Sequence, residues 1–95
     1  MKVLYKTKDC FLLKNIAGEF IVVARGNKAL EFSGTLVLNE TCAVMWQKLI
    51  SYVSVDEIAN ELSDTFAVDY KIAYHDVEVC IDKMIQYDLL DSQEM

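Results

Sequence analysis

The chain has 95 residues, 54% hydrophobic and 25% charged, a balance that describes one compact domain spanning 1–95 with its core over about 11–90 and excludes a disordered segment. Its longest apolar runs, Phe20 to Ala24 and Cys42 to Trp46, fall far short of the roughly 20 residues a membrane helix needs. Lys6, Lys8 and Asp9 interrupt any signal-peptide core, so a cytoplasmic protein without membrane contact is expected. The formal net charge of −6 is unevenly divided: six Lys/Arg against three Asp/Glu through Leu38 leave +3, and three against twelve from Asn39 onward leave −9. An acidic second half repels a phosphate backbone, which argues against nucleic-acid binding there.

In chain order, Phe11 to Ile16 and Glu19 to Ala24 are short runs rich in aliphatic and β-branched residues, separated by Ala17-Gly18. That pattern predicts an antiparallel hairpin. A turn region from Arg25-Gly26-Asn27 to Ser33-Gly34 leads to a third strand, Thr35 to Leu38, which runs without a linker into a helix over about Glu40 to Ile50. Asn39 stands where an N-cap belongs, and Ala43, Trp46 and Ile50 follow at helical spacing. Ser54-Val55-Asp56-Glu57 has the form of a capping box, with Val55, Ile58, Ala59, Leu62 and Phe66 as the buried stripe of a second helix. Asp69 caps a third helix that runs to about Tyr87 on a stripe of Ala73, Val77, Cys80, Ile81 and Met84. The expected architecture is α+β, a three-stranded antiparallel sheet followed by a three-helix bundle.

Cys10, Cys42 and Cys80 are odd in number and widely spaced, so buried free thiols are expected rather than a disulfide framework or a zinc ribbon. A Cys/His metal site with His75 would need all three to fold together. His75 and Asp76 are adjacent on a helix and point apart, and Cys80 falls on the buried stripe, where a thiol is inert. Gly18, Gly26 and Gly34 are isolated and build no phosphate loop. No enzyme and no cofactor are expected.

Ile72, Asp76, Val79 and Lys83 share one face of the third helix beside its core stripe. They form either a widened core contact or the helical wall of a peptide groove.

Leu38-Asn39-Glu40-Thr41-Cys42-Ala43-Val44-Met45-Trp46, then Ser54 to Leu62, Phe66-Ala67-Val68-Asp69, and Asp76-Val77 leading to Leu89-Leu90 together resemble the pyrroloquinoline quinone biosynthesis protein D (PqqD-like) family. Cys42 departs from a small Ala-like residue, and Asp88 from a Gly before the final apolar pair. Asp accepts a left-handed helix end better than most residues, so the second departure leaves the fold intact.

The resemblance implies a winged-helix-like domain, also called a RiPP recognition element. It implies a non-catalytic peptide chaperone that binds the leader of a ribosomally made precursor by strand addition and presents it to a modifying enzyme such as a radical SAM protein, as in PQQ biosynthesis. The implied peptide-binding residues are Thr35, Leu36, Val37 and Leu38 on the third strand, with Ile72, Asp76, Val79 and Lys83 on the third helix. The alternatives are a winged-helix DNA-binding regulator, disfavoured by the acidic third helix, and a purely structural adaptor. An exposed edge strand can also pair with a second copy, giving a homodimer.

Overall fold

The computed structural model describes residues 2–26 and 36–95, which form two three-stranded antiparallel sheets and three helices, an α+β architecture. The first sheet, in the order β2-β3-β4, comprises β2 (Phe11–Ile16), β3 (Glu19–Ala24) and β4 (Leu36–Leu38). Ala17 (φ 53°) and Gly18 (φ 84°) are both left-handed, so the hairpin closes through a two-residue turn whose twist matches its strands. A Cβ on Gly18 would meet nothing within 4 Å; its φ, rather than space, favours glycine there. β4 docks on β3 with Phe20 opposite Leu38 and Val22 opposite Leu36. Thr35 and the expected turn over 27–34 lie outside the described residues.

The helices α1 (Glu40–Lys48), α2 (Val55–Phe66) and α3 (Tyr70–Gln86) begin where their caps predict. Asn39 accepts the Cys42 amide at 2.8 Å, and Asp69 accepts that of Lys71 at 2.8 Å. The capping box closes both ways: the Glu57 amide donates to Ser54 Oγ, and the Ser54 amide donates to Glu57 Oε1. Asp56, in the same first turn, is held below the usual carboxylate range by a hydrogen bond from Ser54 and one from its own amide, with the Lys2 ammonium 3.5 Å away.

Two helix ends correct the expected stripes. α1 stops at Lys48, and the Leu49 amide is shared between the Met45 and Trp46 carbonyls. Leu49 is therefore buried and Ile50, placed on the apolar face by periodicity, is 72% exposed. Phe66 is the last residue of α2 and is 43% exposed, because the chain turns away at left-handed Ala67 before another element covers it. α3 ends as the family resemblance implied, with Asp88 left-handed at φ 58°. The Leu89 amide reaches the Met84 carbonyl and the Asp88 amide that of Ile85, both at 3.0 Å, which makes a Schellman motif without glycine.

A second sheet adds to the expected one. Its order is β5-β1-β6, with β1 (Val3–Thr7) central between β5 (Val53–Ser54) and β6 (Leu90–Glu94). β1 pairs along its whole length with β6, from Val3 opposite Glu94 to Thr7 opposite Leu90. Thr7 also fastens the end of α1, donating from its amide at 2.9 Å and from Oγ1 at 3.1 Å to the Leu49 carbonyl.

The core lies between the β2-β3-β4 sheet and the helices. Phe11, Val22, Leu36 and Leu38 pack into one cluster with Met45, Trp46, Ile58, Leu62, Val77, Ile81 and Met84. Among the described residues no buried side-chain polar atom lacks a partner. Cys42 and Cys80, expected from the sequence to be free thiols, are instead joined in a disulfide, because the α1 and α3 stripes bring their Cα atoms to 5.9 Å; Cys10 is free. Among the described residues no helix is long and apolar enough to cross a membrane.

Candidate functional site: the edge of β4 and the face of α3

The pairing pattern fixes what β4 offers. In a two-residue hairpin the residues that flank the turn exchange both hydrogen bonds, and bonded pairs then alternate along the ladder. Ile16 and Glu19 flank this turn, so Glu19, Ile21 and Val23 direct their backbone groups at β2. The Arg25 amide, which donates to the Cys10 carbonyl at 2.8 Å, continues the same alternation. Phe20 and Val22 consequently face β4, and their partners Leu38 and Leu36 bond to them. Val37 lies between, and its N–H and C=O point away from β3 at the terminal edge of the sheet.

Side chains alternate on the same register. Leu36 and Leu38 are buried in the core and leave only backbone near the edge, whereas Val37 is 43% exposed on the outer face. Among the described residues no strand pairs with that outer edge of β4. Asn39 then holds extended geometry at φ −72° and ψ 171°, so strand and helix meet without slack.

α3 lies across from Asn39 and Thr41, the residues that follow β4. Ile72 is 57% and Val79 54% exposed, Asp76 is exposed and Lys83 half-buried. A widened core contact is therefore not what Ile72 and Val79 form, since the chain itself leaves them in solvent. A cavity of about 210 Å³ opens between α1 and α3, lined by Asn39 and Thr41 on one side and His75, Asp76, Val79 and Cys80 on the other. Asp76 and Val79 are thus brought to the strand–helix junction. Ile72 and Lys83 lie one turn beyond on either side, outside the cavity lining. Asn39, Thr41, His75 and Cys80 are additions to the residues picked from sequence. Asn39 carried a signal as a cap, but only the helix packing turns it toward α3.

The disulfide lies at this junction. It links the first turn of α1, which leaves β4 directly, to the middle of α3. It also removes Cys80 as a nucleophile beside His75. Among the described residues no group of three or more His, Cys, Asp or Glu is placed to hold a metal ion.

A larger concavity of about 560 Å³ lies between β1, β2 and α1, with Thr7, Phe11, Leu12, Trp46 and Ile50 in its lining. Three of its polar side chains are already committed within the fold. Thr7 Oγ1 donates to Leu49, Arg25 Nε donates to the Asp9 carbonyl at 2.7 Å, and the Lys8 ammonium pairs with Asp88 at 2.8 Å. The β4 edge has the opposite character, an outward amide and carbonyl beside exposed aliphatic side chains.

Comparison with known families finds a match. The model for "Coenzyme PQQ synthesis protein D (PqqD)" matches residues 19–90, which include β3, β4, all three helices and the whole candidate site. No curated protein and no solved structure matches the chain.

Proposed function

The chain belongs to the PqqD family, and on that premise we propose that it is a non-catalytic peptide chaperone. Membership associates it with the proteins of PQQ biosynthesis as an accessory rather than a catalyst. In this reading the leader of a ribosomally made precursor adds as a strand at β4, rests against α3, and is presented to a modifying enzyme such as a radical SAM protein.

The observation that carries the reading is Val37, whose N–H and C=O leave the sheet two residues before Asn39, which lines a cavity with Asp76 and the exposed Val79 of α3. Strand addition uses such an edge for register and side-chain pockets for selectivity.

Magnitudes divide the work between the two walls. Val37 supplies two backbone hydrogen bonds at about 0.5–1.5 kcal/mol net each. An apolar leader residue buried on Ile72 or Val79 contributes about 1.5–3 kcal/mol. Affinity and selectivity therefore rest more on α3 than on the strand, and ordering the peptide, at about 2–5 kcal/mol, keeps the complex transient enough to hand its cargo on.

The test is an NMR titration of the isotopically labelled chain with synthetic peptides covering the N-terminal parts of short reading frames that flank its gene. Amide perturbations along Leu36 to Leu38 and from Ile72 to Lys83 are expected. Perturbations that avoid both segments would place the peptide elsewhere and remove the groove.

A further inference from the structure

We propose that the Cys42–Cys80 bond is a reversible thiol–disulfide switch that sets the geometry of the groove between β4 and α3; its effect on binding rests on the peptide-chaperone reading above. The bond is the one covalent link between the two walls. Cys42 is the third residue of α1, and its amide is the one Asn39 caps, so its position is tied to the end of β4. Cys80 is on α3 next to Val79 and lines the 210 Å³ cavity, which opens on solvent. A disulfide elsewhere in the core would stiffen the molecule as a whole. At this position it fixes the distance between the strand-to-helix junction and the opposing wall.

The exchange is chemically complete with a low-molecular-weight thiol such as glutathione. Its thiolate attacks Cys80 Sγ from the cavity, the sulfur–sulfur bond breaks, and Cys42 leaves as a thiolate that takes up a proton. A second thiolate attacks the sulfur of the first in the resulting mixed disulfide, Cys80 leaves as a thiolate that takes up a proton, and two small thiols end as their disulfide while the two cysteines are reduced. A low-molecular-weight disulfide drives the reverse. In a compartment that keeps thiols reduced, a protein disulfide is characteristically transient and redox-sensing. Cys42 and Cys80 are only 3% and 5% exposed, so exchange at this pair proceeds through the cavity when α1 and α3 part locally.

Once the bond opens, the sulfurs must move apart to non-bonded contact, and α3 is no longer held in register with β4. The bonded form presents the wall ready-made; the open form must order it on binding. By linkage, whatever factor the bond contributes to peptide affinity, the bound peptide contributes to the bond's resistance to reduction.

The experiment uses the full chain carrying Cys10→Ser, equilibrated in glutathione buffers of varied ratio. The state of Cys42 and Cys80 is read by alkylation and mass, and the groove by amide NMR. The bonded fraction is expected to follow the buffer, with shifts concentrated in 36–42 and 75–83. A pair that stays closed, or stays open, across the whole range overturns the proposal, as do shifts centred elsewhere. With a flanking-frame peptide that binds the oxidised chain, reduction is expected to weaken binding by about five- to tenfold, the low end of typical couplings. The Cys42→Ala/Cys80→Ala variant should bind like the reduced chain in every buffer. Equal affinity for both forms overturns the switch and leaves the groove standing. Groove amides that respond to the buffer while no peptide binds either form overturn the peptide reading and retain the exchange.

Discussion

The Lys8 ammonium stands 2.8 Å from the Asp88 carboxylate, joining the start of the chain to the residue that ends α3 across 80 positions of sequence. Asp88 does two things at once, holding a left-handed turn and carrying a partner for Lys8. Asn tolerates the same turn, so Asp88→Asn isolates the charge. Because Asp88 is largely exposed, the substitution should lower stability by no more than about 1 kcal/mol, and the difference should shrink in high salt. Urea melts of both proteins at low and high ionic strength measure it.

Ala67 is left-handed at φ 53°, and it closes α2 by donating to the Ser63 carbonyl. A left-handed L-residue costs roughly 1–2 kcal/mol, while glycine adds unfolded-state freedom worth about 0.4–1 kcal/mol. Ala67→Gly should therefore stabilise the chain by about 0.5–1 kcal/mol. A urea midpoint at or below that of the parent would contradict this account of the turn.

Asp56 gives a pH dependence of defined sign. Its folded-state pKa is lowered, chiefly by the hydrogen bond from Ser54, then by its own amide, and also by Lys2. It therefore adds stability at pH values above the ordinary carboxylate range near 4, and that contribution disappears as the pH falls through the lowered value. Asp56→Asn should be less stable than the parent at neutral pH and converge with it in acid. Parallel melts across pH 2 to 7, read by helical circular dichroism, follow the convergence.

Val37 and Leu38 differ in where their amides go, and proline separates them. At Val37 the N–H leaves the sheet, so Val37→Pro removes a donor that the fold itself does not use. The variant should keep its helical spectrum and lose peptide binding by about two- to tenfold, the worth of the one donor removed. Leu38→Pro removes a bond to Phe20 and should unfold the β3–β4 pair. Peptide binding by Val37→Pro at parental affinity would rule out strand addition there.

What could be read from the sequence was what local chemistry decides. Ala17-Gly18, Asn39, Ser54 to Glu57 and Asp69 each form their bonds within about three residues, and each stands where the sequence reading put it. Periodicity gives the direction of a helical face but not its end, which is why Ile50 and Phe66 fall on the apolar stripes yet lie exposed. β6 has no sequence signature, because Leu90-Asp91-Ser92-Gln93-Glu94 lacks apolar alternation and is held by backbone pairing to a strand more than 80 residues away. The cysteine pairing depends on two helices packing across a separation of 38 residues, which no spacing rule encodes. At the candidate site, the two exposed aliphatic residues of α3 were legible from helical spacing. The special standing of Val37 was not, because it follows from the hydrogen-bond phase of the hairpin carried over to β4.

β1 and β2 set a lower limit on how far the chain can be shortened. A fragment beginning at Glu19 would keep β4 and every helix yet strip β3 of its hairpin partner and leave β5 and β6 with no strand between them. Three freshly opened edges would then compete with β4 for any extended peptide, including further copies of the fragment, so self-association would be mistaken for cargo binding. The smallest unit in which the groove can be assayed cleanly therefore includes the strands that never touch it.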